Sequence, residues 1–199
     1  MEDGEVSETT AQARLQRSLE LGYRHLGKRD RTEAEVRKYL AARDVDEASA
    51  DGALEELARQ GYVDDARYAR TFAEDRRKLD DWGPERIERR LLALGVDREM
   101  VAAALAERDA AGDLDAAVAL LRRRLGSTIP ATDRERERAL GVLARKGYDL
   151  ELAYDAVRAF CAGQPAEERS PTRGRSSENP VGRGRRECAA EGVAKSSRI

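Results

Sequence analysis

Histidine and cysteine are almost missing from this sequence, which has one His and two Cys among 199 residues. That scarcity removes most metal, nucleophilic and acid–base chemistry at the outset. Cys161 and Cys188 share no CxxC spacing, so two free thiols in a reducing compartment are expected rather than a zinc site or a disulfide framework. His25 lies between Arg24 and Leu26 with no nucleophile or metal partner at a recognisable spacing, and reads as a structural or surface side chain. Gly-rich phosphate loops are missing too, because the glycines punctuate helix ends. No apolar run approaches the roughly 20 residues that span a bilayer, and the opening MEDGEVSE lacks the basic start and apolar run of a signal peptide. The expectation is a soluble, cytoplasmic protein that is not an enzyme, with no cofactor and no metal.

Aromatics are also sparse, at 5%, and apolar residues reach only 40% against 38% charged. So little apolar material does not fill one thick core, and a thin, elongated fold is expected. Alanine, leucine, arginine and glutamate dominate, and no stretch alternates apolar and polar residues as a half-buried strand would. The fold class is therefore all-α, with almost no sheet. A formal net charge of −2 excludes a polycation that coats DNA at random, so any nucleic-acid contact must use a local patch.

What the sequence does have is a repeat. Val36, Leu40, Val45 and Leu54 recur 51 residues later as Ile87, Leu91, Val96 and Leu105, and a third copy follows at 52 residues with Ala139, Leu143, Tyr148 and Val157. Boundary chemistry repeats in step. Thr32 with Glu35, and Thr132 with Glu135, have the spacing of a capping box. Gly83-Pro84 places proline at a first helical position, where its missing N–H costs nothing. Asp46, Asp97 and Asp149 sit at the next helix start in each copy, each preceded by an apolar residue placed to staple onto the first turn. Gly61, Gly95 and Gly147 fall where a left-handed C-terminal cap is expected. The acidic pairs Asp64-Asp65 and Asp80-Asp81 also lie at helix junctions, and are expected to cap backbone amides rather than hold a metal.

These signals give three tandem three-helix repeats, helix-turn-helix-like, over residues 11–61, 62–110 and 111–163. The expected helices are 11–27, 32–43 and 46–60, then 64–79, 84–94 and 97–108, then 113–125, 132–146 and 149–161. Residues 1–10 and the Arg/Ser/Gly/Pro-rich tail 164–199 offer little to bury and are expected to be disordered. The tail carries eight basic and five acidic side chains, a net +3.

Candidate functional residues are basic runs on helices. Arg76, Arg77 and Lys78 close one helix, Arg86, Arg89 and Arg90 share a face of the next at i, i+3 and i+4, and Arg122, Arg123 and Arg124 close the first helix of the third repeat. Cations in a last turn suit the helix dipole, by about 0.3–1 kcal/mol each. As a set they form a ridge suited to an acidic protein surface or a phosphate backbone.

The stretch LEELARQGYVDDARYARTFAEDRRKLDDWGPERIERRLLALGV, residues 54–96, resembles the RecX family of bacterial recombination regulators. Its signature is a Gly-aromatic-aliphatic-Asp-Asp turn, an Arg-aromatic-Ala helix start and a Gly-Pro-x-x-Ile helix with paired arginines. The resemblance continues through RDRTEAEVRKYLAARDVD and ERALGVLARKGYDLELAYDAV, covering about residues 15–161. Most of that signature has a plain structural account: Gly61 ends a helix, Asp64 caps the next and Val63 is placed to staple against Tyr68. The glycines of LGYRHLGKRD, where the family has helix formers, depart from it. The resemblance implies a protein that binds the RecA recombinase filament and restrains it. A monomer is expected, with single- or double-stranded DNA as a further partner through the basic ridge or the tail. The competing reading is a helix-turn-helix-like protein acting directly on DNA. Against it, the third helices begin DEASADGA, DREMVAAA and DLELAYDA, without the Arg, Asn, Gln or Lys that read base edges. A helical scaffold unrelated to recombination would bind no recombinase filament.

Overall fold

Nine helices account for the described residues, 2–163, of a computed structural model whose side chains are described from residue 10 onward. They are α1 (Glu2–Leu26), α2 (Glu33–Ala41), α3 (Glu47–Arg59), α4 (Asp65–Asp80), α5 (Pro84–Ala93), α6 (Arg98–Ala106), α7 (Ala110–Leu125), α8 (Asp133–Lys146) and α9 (Leu150–Ala162). No strand occurs among the described residues. In each successive triplet the first and third helices pack most extensively on one another. The sequence 164–199 and Cys188 lie outside the described residues.

Local chemistry sets the boundaries. Thr32 and Thr132 each close a capping box with Glu35 and Glu135, and Asp46, Asp64, Asp97, Asp109 and Asp149 each accept a first-turn amide. Gly83 is the N-cap ahead of Pro84. Gly61, Gly95 and Gly147 all have positive φ, the conformation glycine adopts without a Cβ penalty. Two starts differ from expectation. Helix α7 begins at Ala110, because Asp109 caps it. Helix α1 begins at Glu2 rather than near residue 11, and the acids Glu2, Asp3 and Glu5 in the sequence suit the positive end of a helix dipole.

The Asp80-Asp81 pair is a correction. Neither caps a helix start: Asp80 receives Arg76 at 2.5 Å, and Asp81 ends α4 in the left-handed region with φ 56° while its carboxylate pairs with Arg123. Asp65, by contrast, accepts the Glu33 N–H at 2.9 Å and so reaches from α4 to the start of α2. Val63 and Tyr68 also part company, since Val63 joins the first core cluster and Tyr68 packs against the second.

Each triplet has its own core. Val36, Leu40, Leu54 and Leu57 anchor the first, Ile87, Leu91 and Val101 the second, and Leu120, Leu121, Leu143 and Phe160 the third. Full burial of one such side chain is worth roughly 1.5–3 kcal/mol, which holds together helices too short to persist alone. Gly22, in the middle of α1, has a packing reason: a Cβ there would lie 2.7 Å from Leu57 Cδ1.

The second helices of the triplets, α2, α5 and α8, meet end to end. At the α2–α5 joint, Thr32 Oγ1 donates to the Leu94 carbonyl at 2.8 Å. At the α5–α8 joint, the Gly83 N–H donates to the Lys146 carbonyl at 2.8 Å and the Glu85 N–H to the Gly147 carbonyl at 3.1 Å. Carbonyls left over at the end of one helix thus take donors from the start of the next, and the dipoles run head to tail. Two side chains tie the second joint, with Arg86 Nη1 donating to the Arg145 carbonyl at 2.8 Å and Lys146 Nζ to the Asp80 carbonyl at 2.5 Å.

Candidate functional site

End-to-end docking of α2, α5 and α8 builds an open groove of about 950 Å³. Arg29 comes from the loop after α1, Tyr68, Phe72 and Arg76 from α4, Trp82 from the α4–α5 turn, Arg86, Arg89 and Arg90 from α5, and Arg145 from α8. All three triplets contribute. The i, i+3, i+4 spacing of Arg86, Arg89 and Arg90 keeps them on one side of α5, while Ile87 and Leu91 turn into the core at 0% exposure.

Aromatic rings floor the groove and arginines clasp them. Tyr68 stacks on Phe72 with centroids 6.1 Å apart, and Phe72 meets Trp82 edge-on at 6.2 Å. The Arg76 guanidinium lies 5.1 Å from the Phe72 centroid and 5.4 Å from that of Trp82, and the Arg86 guanidinium is 4.4 Å from Trp82. Such cation–π contacts hold both arginines in place. Burial pushes the Tyr68 phenol above its ordinary pKa, and the nearby Glu35 carboxylate adds to the rise.

The charges divide into held and unheld. Arg29 pairs with Glu35 at 2.8 Å, Arg76 with Asp80, and Arg86 spends one donor on the Arg145 carbonyl. Arg89, Arg90 and Arg145 are exposed and form no ion pair with a described residue. No carboxylate lines the groove. Arg89, Arg90 and Arg145 therefore present cations whose field no ion pair with a described residue cancels.

The structure brings together four of the nine candidate residues, Arg76, Arg86, Arg89 and Arg90, and places the other five elsewhere. Arg77, one step round α4 from Arg76, turns inward: its Nη2 donates to the Leu105 carbonyl at 2.9 Å, its buried Nε has no hydrogen-bond partner, and burial lowers its pKa. Lys78 pairs with Glu74 and Arg123 with Asp81. Arg122 and Arg124 are exposed on α7 but do not line the groove. Sequence reasoning missed Arg29 and Arg145. Arg145 closes α8 beside Lys146, the same last-turn signal that marks Arg76, Arg77 and Lys78, whereas Arg29 lies in a loop, and only the joints bring either to α5.

His25 stacks on Tyr39 with centroids 3.8 Å apart, and Arg43 covers the Tyr39 ring at 3.4 Å. Burial and the neighbouring Arg31 lower the histidine pKa. Cys161 is a free, half-buried thiol, and no group of three metal-ligating side chains occurs among the described residues. No helix among them is long and apolar enough to cross a membrane.

Known proteins share this architecture. Residues 19–57, 64–105 and 112–157 match the family models described as the first, second and third three-helix domains of RecX. The chain is 32% identical over 153 residues to "Regulatory protein RecX" of Amycolatopsis mediterranei, covering 76% of this chain and 87% of that protein. It is 34% identical over 139 residues to the protein of the same name in Xanthomonas campestris pv. campestris, covering 69% of this chain and 82% of that one. Among solved structures, RecX from Lactobacillus salivarius superposes with a TM-score of 0.67 at 18% identity, covering 74% of this chain and 97% of that chain, which supports the fold alone. Three matched domains in the order and at the spacing of the three helical triplets, with relatives aligned along most of their length, place this chain in the RecX family of regulatory proteins.

Proposed function

We propose that this chain regulates the RecA recombinase by binding along its filament. Bound there, it restrains filament growth or promotes disassembly, and so lowers ATP hydrolysis, strand exchange and RecA-stimulated repressor cleavage in recombination, repair and the SOS response. It acts in the cytoplasm as a monomer and supplies no chemistry of its own.

The observation that carries this reading is the groove, whose lining comes from all three triplets at once. A metabolite site is usually enclosed and mostly apolar, with a few convergent polar groups. An open surface of arginines spread across docked repeats suits a long, repeating partner instead, because successive weak contacts add through effective concentration. Contacts of this kind weaken as salt screens them.

Co-sedimentation tests it. Filaments of RecA on single-stranded DNA should carry the folded chain into the pellet at low salt, in excess of what the same amount of naked DNA carries. A chain that stays in the supernatant, or that follows naked DNA equally, argues against filament recognition. The reading of the protein as a direct reader of duplex sequence gains nothing from the third helices, whose N-caps are Asp46, Asp97 and Asp149.

A further inference from the structure

The second and third triplets share no apolar core. One cluster draws only on residues from Tyr68 to Leu105 and the other only on residues from Leu114 to Cys161, so among the described residues no hydrophobic cluster spans the seam between them. What crosses the seam is polar: the Gly83 and Glu85 amides reach the Lys146 and Gly147 carbonyls, Arg86 the Arg145 carbonyl and Lys146 the Asp80 carbonyl. Ionisable groups are buried there as well. Asp113 of α7, the only buried carboxylate among the described residues, is 8% exposed and meets Arg108 of the α6–α7 turn at 3.6 Å, beyond the roughly 2.7–2.9 Å of a strong charge-assisted hydrogen bond. Arg77 of α4 and Asp109 at the α7 N-cap also face it, as does the buried Tyr148 of the α8–α9 turn. Arg77 gives one donor to the Leu105 carbonyl and leaves a buried Nε without a partner. Burial raises the pKa of Asp113 and lowers that of Arg77, so each charge is less well accommodated here than in water.

We infer that the α5–α8 joint is a hinge on which the third triplet swings away from the second as a folded body. Opening returns Asp113, Arg77 and Arg108 to water, which offsets the hydrogen bonds lost across the joint. Both apolar cores stay closed, which is the condition for local opening without global unfolding. The swing also divides the groove, because Ala144 and Arg145 line it from the far side of the joint. Closed, the groove runs over all three triplets; open, it ends at α5. A partner that engages Arg86 and Arg145 together selects the closed form. That consequence rests on the reading of the groove as the working surface, whereas the hinge itself does not.

Native-state hydrogen exchange of the full chain, read amide by amide by NMR, tests the hinge. The Gly83 and Glu85 amides donate across the joint, whereas those of Leu91 and Leu143 lie at fully buried positions inside α5 and α8. After correction for intrinsic rates, Gly83 and Glu85 should exchange at least tenfold faster than Leu91 and Leu143, because they are freed by the hinge while the other two wait for a triplet to unfold. Asp113→Asn keeps the shape of the side chain and removes its buried charge, so opening recovers less hydration. It should slow Gly83 and Glu85 at least twofold. The inference is overturned if Gly83 and Glu85 in the parent are protected as strongly as Leu91 and Leu143, a comparison that needs no variant to fold. It is equally overturned if folded Asp113→Asn slows them less than twofold or speeds them, since the buried charges would then clamp the joint rather than ease it. With RecA and nucleic acid left out of this experiment, its failure leaves filament recognition standing, and a failure of co-sedimentation leaves the hinge standing.

Discussion

Gly147 and Arg86 approach so closely that a Cβ on the glycine would lie 2.3 Å from the Arg86 Cβ and 2.6 Å from its backbone nitrogen. Gly95 has the same relationship to Ala34, where a Cβ would lie 2.3 Å from the Ala34 Cβ. Both glycines end the middle helix of a triplet with positive φ, 84° for Gly95 and 86° for Gly147. The joints that assemble the groove therefore require a residue with no side chain, for reasons of space as well as conformation.

Gly147→Ala should accordingly cost more than Gly61→Ala. Gly61 has φ 76° but no atom within 4 Å of a built Cβ, so its substitution carries only the left-handed penalty of about 1–2 kcal/mol. Gly147→Ala adds a clash with the backbone of α5 and should exceed that by at least ~1 kcal/mol. Urea unfolding of the two variants, compared at equal slope, checks the order.

The two capping threonines should also separate. Thr132 is exposed and only caps α8, so Thr132→Ala should cost about 1 kcal/mol. Thr32 is fully buried and its hydroxyl both accepts the Glu35 N–H and donates to the Leu94 carbonyl across the joint. Thr32→Ala leaves that carbonyl without its donor and should cost roughly 2–3 kcal/mol. Equal losses would mean that the Thr32–Leu94 bond adds nothing.

Alkaline pH should expose Tyr148. Burial, and then the nearby Asp113 carboxylate, push its phenol up to about 12, from an ordinary value of 10.0. Between those values the folded state keeps a proton that the unfolded state has lost, so stability is flat below pH 10 and falls as pH rises towards 12. The shift corresponds to a loss of up to roughly 2–3 kcal/mol. Tyr148→Phe removes the titration, and its thermal stability should fall less steeply than that of the parent over this window. Parallel profiles would show that the phenol does not contribute.

Arg77 and Arg124 look alike in the sequence, each in the last turn of a basic helix end. Their settings differ, since Arg77 donates to Leu105 inside the seam between α4 and α6 whereas Arg124 is exposed. Arg77→Ala should lower stability by about 1–3 kcal/mol and Arg124→Ala by less than ~0.5 kcal/mol. Thermal denaturation of both variants decides it.

Most of the fold is legible in the sequence because its causes are local. Capping threonines and aspartates, helix-ending glycines and apolar residues at helical spacing act within a few positions, so the repeat at 51 and 52 residues marks the triplets directly. The groove is legible only in part. The side of α5 bearing Arg86, Arg89 and Arg90 follows from helical spacing, but Arg29 and Arg145 reach it through joints between residues 62 and 59 positions apart. The glycines of the joints, Gly95 and Gly147, repeat in register, but nothing in that spacing says that the helix ends they close dock on a neighbouring triplet. The Arg76–Lys78 run shows the other limit: adjacent residues on a helix point about 100° apart, so one basic run supplies the groove, the interior and a surface ion pair. Asp80 and Asp81 mislead because acids at a helix start and at a helix end look the same until the direction of the chain through the turn is known.

Filament regulation is tested most directly by ATP hydrolysis. RecA assembled with single-stranded DNA and ATP is titrated with the folded chain at ratios well below one per RecA subunit. The account predicts that hydrolysis slows at these ratios, with less effect as salt rises and when Arg89 and Arg90 are both changed to Glu. An unchanged rate at every ratio, with protein that is folded by circular dichroism, would contradict it.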